Sequence, residues 1–381
     1  MSSYRNRYRL AEQFVTNRTY EKYFLNKSVD KNICVFGAGA LGKETAQWLI
    51  NKASVSRIVF SDNNPSLWGS KIYGIPIFDP KTVLDNIGDY FIFVAVADKG
   101  VKYNRMINKQ FTACKSIMRN PLGLTAYWLQ TFELDGGGRE LFDRAINCFA
   151  DDYSRKLYRL LWEFRLQSEV IDYPSDILDN FFYSKQYIVP ELVDYKRLKV
   201  CLDIGAFDGD SLCDLIENTS EDCFYFCFEF DNNIFAKLKR RIEVDFVTCQ
   251  SRIVAYPYGV SDSCKRVCYI TDEIGGSKIC DSSDLIARVV NLDSMNFGRR
   301  VDFIKMDIEG EEENALKGAL ETIKRDRPVL AISIYHNLSQ YLSIPLMIKS
   351  IDDNYKLYLR HHKYTLDDTV LYAVYDGTHK G

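Results

Sequence analysis

A short glycine-containing turn in the C-terminal half of the sequence carries a high density of acidic side chains. Residues 201–210 read CLDIGAFDGD, a strand-like run and then a turn made of Gly205, Ala206, Phe207, Asp208 and Gly209. Glycine permits a close approach of the backbone where a side chain would clash. Asp203, Asp208 and Asp210 place three carboxylates around this turn. They would repel a pyrophosphate but attract a ligand that carries an ammonium and a sulfonium. The turn therefore predicts a site for a cationic cofactor.

An acid follows the next strand-like run, at residues 224–228. Glu229 lies 24 residues after Gly205 (229 − 205) and directly precedes Phe230. In nucleotide-binding βαβ units, an acid about 20 residues after the glycine turn binds the hydroxyl groups of a ribose. Glu229, with Phe230 beside it, is therefore predicted to bind the nucleoside part of the same cofactor. The alternative is an ordinary turn whose acids are solvated.

Three further polar residues, Asp307, Glu309 and His336, follow two later strand-like runs. They could converge on one pocket, because ligands bind outside the carboxyl ends of strands in open α/β sheets. The ordinary pKa of histidine makes His336 the best candidate for a general base, with a hydrogen-bonded structural histidine as the alternative. Asp307 is expected to orient the substrate or contact the cofactor, and Glu309 to suit the positive end of the next helix. Carboxylates and imidazole also bind divalent ions, but nothing gives coordination spacing, so no metal is predicted.

A second glycine-rich turn, near the N-terminus, contains no acid. Gly37, Gly39 and Gly42 form a G-x-G-x-x-G pattern between a strand-like and a helical segment. Asp62 ends the next strand-like run, 23 residues after Gly39 (62 − 39). This dinucleotide-binding fingerprint stands in its expected context, so these four residues predict a dinucleotide or nucleotide-sugar site. A scaffold that keeps the glycines for helix packing is the alternative.

Two units of alternating strand and helix signals must position these residues, and such alternation predicts parallel α/β sheets. Residues 1–120 are predicted as a Rossmann-like nucleotide-binding domain, residues 121–197 as a helical connector or cap, and residues 198–381 as a second α/β domain. Strands of the second domain are expected at residues 199–204, 224–228, 253–255, 303–306 and 329–334. Helices are expected at residues 211–217, 234–242 and 312–324. Residues 355–360 and 369–374 predict an antiparallel hairpin.

Composition limits the class of protein. The 381 residues carry a formal net charge of −3, so no basic field favours a nucleic-acid partner. No segment approaches the roughly 18 apolar residues of a membrane span, and the polar, Arg-rich start has no apolar signal core. A cytoplasmic protein is therefore expected. The 11 cysteines contain no C-x-x-C pair and are expected to be reduced. The sequence is compatible with a homo-oligomer.

Three blocks of the C-terminal half resemble the FkbM family of S-adenosylmethionine-dependent methyltransferases. They are the glycine turn at residues 202–210, the block at residues 228–231, where Phe230 replaces the usual Pro, and the acidic stretch VDFIKMDIEGEE at residues 301–312. Residues 291–293 resemble a smaller element of the family, and the likeness covers roughly residues 198–375. One departure is that the strand after the acidic stretch often ends in Glu in this family. Here residues 331–336 read AISIYH, so a role for that Glu does not transfer.

The resemblance implies a class I methyltransferase fold, which is a doubly wound, mostly parallel sheet of seven strands with an antiparallel last strand. It also implies S-adenosylmethionine as cofactor and O-methylation of a hydroxyl group. Residues 73–77 look similar to the small nucleotide-sugar-binding domain of some sugar acyltransferases. We therefore expect an O-methyltransferase acting on a sugar or nucleotide-linked sugar, in surface polysaccharide or natural-product biosynthesis. The alternatives are a catalytically silent protein that binds these ligands and an NAD-dependent oxidoreductase that uses the N-terminal domain.

Overall fold

The structure is a computed structural model of the chain. It describes residues 15–18, 32–52, 57–86, 90–95, 117–119, 131–134, 136–166, 185–271, 277–362 and 368–376. No helix in these ranges is long and apolar enough to cross a membrane.

The N-terminal part contains a six-stranded sheet. The described elements, in chain order, are β1 Val15–Arg18, β2 Asn32–Phe36, α1 Ala40–Lys52, β3 Ile58–Ser61, β4 Lys71–Ile72, β5 Ile75–Phe78, α2 Pro80–Asp85, β6 Tyr90–Val94, β7 Ile117–Arg119 and β8 Thr131–Leu134. The sheet order is β4-β5-β3-β2-β6-β7, and every pair is parallel except β4 with β5. Strands β1 and β8 form a separate antiparallel pair. The strand–helix alternation read from the sequence thus gives the expected, mostly parallel sheet.

Two helices precede the C-terminal sheet, α3 Gly136–Ile146 and α4 Asp152–Leu166. The three glycines at 136–138 form the first turn of α3. Tyr158 of α4 stacks on Tyr341 at 4.3 Å between ring centroids, and both belong to one buried cluster with the strands of the C-terminal sheet. The two helices therefore form part of that core, although they lie in the range predicted as a connector or cap. The predicted domain boundaries themselves stay predictions.

The C-terminal part is built on a seven-stranded sheet. Its elements are β9 Val200–Ile204, α5 Asp210–Asn218, β10 Phe224–Phe228, α6 Asn232–Val244, β11 Ile253–Tyr256, β12 Gly259–Val260, β13 Lys265–Thr271, β14 Ser277–Cys280, β15 Leu285–Val290, β16 Phe303–Met306, α7 Glu312–Lys317, α8 Leu320–Asp326, β17 Val329–Ser333, α9 Leu338–Ile351, β18 Tyr355–His361 and β19 Thr369–Tyr375. The order is β11-β10-β9-β16-β17-β19-β18. Only β19 runs antiparallel to its neighbours, as the family resemblance implied.

The central strands form because their residues are apolar on both faces, as expected where helices cover both sides of a parallel sheet. All residues of β9, β16 and β17 are buried. The three strands pair in register, with Met306, the last residue of β16, opposite both Ile204 and Ile332. This register brings the residues that follow the three strands to a common edge, where the acids predicted from the sequence lie.

The segment expected as one helix over residues 312–324 is two short helices. Gly318 ends α7, and a Cβ there would lie 2.1 Å from the backbone oxygen of Ser261. Only glycine at position 318 therefore allows these two backbone segments to approach so closely. Asp293 caps α8 from outside by accepting hydrogen bonds from the amides of Glu321 and Thr322, which explains the break in physical terms.

A small sheet of order β12-β15-β13-β14 was not anticipated. It flanks the block after β10, because Tyr269 of β13 meets Phe230 edge-to-face at 5.1 Å. Ser277 of β14 donates a hydrogen bond to Asp231, which caps α6. The small sheet thus supports one wall of the region predicted to bind the cofactor.

Candidate functional site

The glycine turn after β9 is fixed by close backbone contacts. Gly205 has φ +76°, and a Cβ there would lie 1.9 Å from the backbone oxygen of Asp307. The amides of Gly205 and Ala206 both donate to the oxygen of Phe228, at 3.0 and 2.9 Å. Gly209, at φ +92°, precedes the first residue of α5. The turn therefore packs directly against the ends of β10 and β16, which leaves no room for a side chain at Gly205.

Phe207 lies at the exposed tip of this turn, with φ +46° and 39% of its surface exposed. A positive φ at a bulky residue is strained and persists only where surrounding structure enforces it. Asp208, also at the tip, makes a partly exposed ion pair with Arg241 of α6 at 3.0 Å. These two predicted cofactor residues are thus accessible at the carboxyl edge of the sheet.

Asp203, in contrast, lies inside the protein. Its carboxylate is 3.0 Å from Nζ of Lys305 on the neighbouring strand β16, and both side chains are almost completely buried. Ser211 donates a second bond to Asp203 at 2.8 Å, and Lys305 donates to the backbone oxygen of Gly205. This geometry favours a supporting role beneath the turn for Asp203 over the direct cofactor contact expected from the sequence.

Glu229, at the end of β10, is 7% exposed. One carboxylate oxygen accepts a hydrogen bond from the amide of Asp231 at 2.8 Å. Burial, with a smaller contribution from the Asp231 carboxylate, raises the pKa of Glu229 to about 7. A partly neutral carboxyl at this position is ready to ionise when a ligand donates hydrogen bonds to it. Phe230 lies next to it, against Tyr269.

Asp307, directly after β16, accepts hydrogen bonds from two tyrosines and lies close to a histidine. Tyr187 donates to its Oδ2 at 2.7 Å, and Tyr335 donates to its Oδ1 at 3.1 Å. Nε2 of His336 lies 3.3 Å from the same Oδ1. Burial opposes ionisation, but the His336 and Lys305 charges and the tyrosine hydroxyl lower the pKa of Asp307 overall. Asp307 is therefore a fixed carboxylate at the centre of the site.

His336 lies between acids on both edges of its ring. Nδ1 is 2.9 Å from Oε1 of Glu312, and Nε2 is 3.7 Å from Oε2 of Glu309. Burial lowers the pKa of His336, but the surrounding carboxylates outweigh it and raise the pKa to about 10. The side chain has no exposed surface, so this geometry does not favour the general-base role expected from an ordinary histidine. Among the predicted catalytic residues, Glu309 has the most accessible side chain, 33% exposed.

The structure thus brings Asp307, Glu309 and His336 together as the sequence predicted, and it adds residues that the sequence analysis did not identify. They are Lys305, Tyr187 and Glu312. Lys305 could have been identified from the sequence, because it lies inside the apolar run of β16 and buried charges are almost always paired. Nothing in the sequence indicated Tyr187, which precedes Asp307 by 120 residues.

The N-terminal glycine turn shows what each glycine does. Gly37 has φ +105°, and a Cβ at Gly42 would lie 1.7 Å from the oxygen of Gly37, so these two are required by the fold. Gly39 would meet no atom of the described structure within 4 Å. Asp62 accepts from the amides of Ala38 at 2.7 Å and Asn64 at 2.8 Å. The three glycines therefore lie in one turn, which Asp62 holds through the amide of Ala38. Among these glycines only Gly39 has no packing reason to be glycine.

The strand order with one antiparallel member, the glycine turn after β9 and the acid after β10 together define the C-terminal part as a class I methyltransferase. Residues 203–365 match the model of the methyltransferase FkbM domain. The C-terminal part of the chain therefore matches an FkbM methyltransferase domain, and the protein is a methyltransferase.

One solved structure supports this fold, and two others align more weakly. The crystal structure of the methyltransferase FkbM from Methylobacillus flagellatus KT aligns with a TM-score of 0.67 and 22% identity, over 96% of this chain and 97% of that chain. A putative rRNA-methylase from Clostridium thermocellum aligns with a TM-score of 0.33 and 10% identity, over 49% of this chain and 92% of that chain. Aeropyrum pernix fibrillarin, solved with natively bound S-adenosyl-L-methionine, gives a TM-score of 0.32 and 12% identity, over 48% of this chain and 69% of that chain. No curated protein matches this chain.

Proposed function

We propose that this protein transfers a methyl group from S-adenosylmethionine to a hydroxyl of a sugar or nucleotide-linked sugar. The proposal rests on two features that lie at the same edge of the sheet. These are the turn tip with Phe207 and Asp208, and the buried acid Glu229 after the next strand. Such an arrangement suits a cationic cofactor with a ribose, because carboxylates face both its charged end and its hydroxyl groups.

The cofactor would lie across the carboxyl ends of β9 and β10. Glu229 would accept hydrogen bonds from the ribose hydroxyls, and Phe230 would contact the adenine. The sulfonium and ammonium would lie near the turn of residues 205–210, whose acids Asp208 and Asp210 stabilise positive charge. Asp203 and Lys305 would hold the turn from beneath.

The acceptor would lie beside Asp307 and Glu309, at the end of β16. Its hydroxyl oxygen forms the new bond to the methyl carbon, while the electrons of the broken carbon–sulfur bond remain on sulfur. The hydroxyl proton passes to the exposed carboxylate of Glu309 and then to solvent. Alignment supplies much of the rate increase in such a displacement, and a base within hydrogen-bond distance helps a weakly acidic hydroxyl. His336, held by Glu312, would position both acids.

Calorimetry and product analysis test this proposal together. The full chain should bind S-adenosylmethionine in the micromolar range, and mass spectrometry should detect a mass increase of one methylene on a member of a panel of sugars and nucleotide sugars. Cofactor binding with no transfer to any panel member would support the catalytically silent alternative. Tight NADH binding without any S-adenosylmethionine binding would contradict the proposal.

A second proposal concerns the N-terminal turn, which would bind a nucleotide or nucleotide sugar through Gly37, Gly39, Gly42 and Asp62. The open surroundings of Gly39 favour it, because a residue with no packing reason to be glycine leaves space for a phosphate at the start of α1. Gly39→Val should reduce affinity for a UDP-sugar or NADH at least tenfold and leave the melting temperature unchanged. Equal affinity in both proteins, or no binding by the wild type, would contradict this assignment.

A further inference from the structure

Two buried ligand atoms in the acidic cluster have no hydrogen-bond partner among the described residues. They are Oε2 of Glu312 and Nε2 of His336. Glu312 is completely buried and His336 is 2% exposed. A buried polar atom without a partner costs about 1–3 kcal/mol, and such atoms in a folded protein call for a missing partner such as a water or an ion. These two atoms belong to side chains that already contact each other.

The same side chains form a compact set with Asp307. One ligand atom each from Asp307, Glu312 and His336 can be chosen so that all lie within 4.8 Å of one another. Bonds of about 2.1 Å to nitrogen and oxygen place the donors of a tetrahedral site about 3.4 Å apart. Side-chain shifts on the order of 1 Å would therefore close the set around a single ion. The residues sit on three separate pieces of the fold, at the end of β16, in α7 and after β17.

From this geometry we propose that Asp307, Glu312 and His336 bind one divalent metal ion. Metal binding would displace the proton from Nε2 of His336. The two carboxylates and the neutral imidazole would then give the set a charge of −2, which a divalent ion neutralises. A mixed oxygen and nitrogen set suits Mn²⁺ or Zn²⁺ better than Mg²⁺, which prefers oxygen alone. No metal was predicted from the sequence, because Asp307, Glu309 and His336 have no coordination spacing and Glu312 was not identified as a ligand.

The position of the ion would give it a role in methyl transfer. Asp307 is partly accessible, with 21% of its side chain exposed, so the ion would reach the side of the cluster where the acceptor is placed. A divalent ion lowers the pKa of an oxygen bound to it and orients that oxygen. This role rests on the proposed function, but binding of the ion does not.

Metal binding can be measured without any methyl transfer. The untagged full chain is titrated with Mn²⁺, and the free ion is followed by its electron paramagnetic resonance signal. Mn²⁺ is the preferred probe because it binds thiolates weakly, and the chain has 11 cysteines. We expect one site per chain, and at least a tenfold loss of affinity in Asp307→Asn and in His336→Gln. Asp222→Asn, which removes an exposed carboxylate paired with Lys199, should bind like the wild type.

Two further measurements keep the result interpretable. The melting temperature of the wild-type protein should rise with Mn²⁺ concentration, since a ligand that binds only the folded state stabilises it; this needs no variant. S-adenosylhomocysteine binding, measured in parallel, reports on the cofactor site. No Mn²⁺ binding up to millimolar concentration, or unchanged binding in both variants, would overturn the metal site. Either result, with S-adenosylhomocysteine binding intact, would leave the proposed methyl transfer standing.

Discussion

Affinity for the cofactor should depend on pH through Glu229. The pKa of this buried carboxyl is about 7 in the unliganded protein, and only the ionised form is a strong acceptor for two ribose hydroxyls. About 90% of the carboxyls are ionised at pH 8 and about 10% at pH 6. If ligand binding lowers this pKa well below 6, the dissociation constant for S-adenosylhomocysteine should rise about tenfold from pH 8 to pH 6. Calorimetry at both pH values measures this directly.

The variant Glu229→Gln keeps the shape of the side chain but cannot ionise. At pH 8 it should lose about 1–3 kcal/mol of binding free energy, roughly 5- to 150-fold in affinity, as expected for a charge-assisted hydrogen bond. Its dissociation constant should then be nearly independent of pH. The charged and polar groups that interact with Glu229 are Asp231, Lys305 and Tyr269, and they remain in the variant. The exposed Glu221→Gln serves as control. An unchanged affinity in Glu229→Gln, or a pH dependence that persists in it, would refute the assignment.

Three further outcomes are expected. In the unliganded folded protein the pKa of Glu229 is raised from 4.5 to about 7. The contribution of Glu229 to the stability of the folded state is therefore fully present below pH 4.5 and is lost as pH rises through about 7. Glu229→Gln should raise the melting temperature at pH 8 and not at pH 4. Gly205→Ala should lower the melting temperature and abolish cofactor binding, because the added Cβ would collide with the Asp307 backbone; an unaltered protein would contradict the close approach. Tyr187→Phe should lower turnover roughly tenfold through the lost bond to Asp307 without changing S-adenosylhomocysteine affinity, whereas Tyr158→Phe, which loses a buried hydroxyl elsewhere, should retain turnover.

The sheet could be predicted because its strands carry strong local signals. Residues 224–228 and 303–306 were placed without error, since each is a short apolar run bounded by polar residues. Helix α9 was missed because it is buried on nearly all sides, so its sequence has no amphipathic period. It also contains Pro345, which is unfavourable inside a helix. The break between α7 and α8 depends on a contact of Gly318 with Ser261, which no local pattern encodes.

The acids of the site could be predicted for a topological reason, but their partners could not. Residues that follow parallel strands share one edge of the sheet, and this places Glu229, Asp307 and His336 together. The bonds that decide what each one does come from distant parts of the chain. Glu312 contacts His336 from the first residue of α7. Tyr187 donates a hydrogen bond to Asp307 from a segment before β9. The sequence therefore suggested a histidine base, whereas packing surrounds that histidine with carboxylates.

Backbone strain gives an independent indication of where the site lies. Six described residues other than glycine have positive φ, and Phe207 at +46° and Glu309 at +55° flank the region where cofactor and acceptor would meet. Such conformations cost about 1 kcal/mol or more and are often retained for function. Glu309→Gly removes both the strain and the carboxylate, whereas Glu309→Gln removes only the charge. We expect both variants to lose turnover, and the melting temperature of Glu309→Gly to exceed that of Glu309→Gln. If the two variants melt together, the left-handed conformation stores no strain, and the link between strain and function at this residue fails.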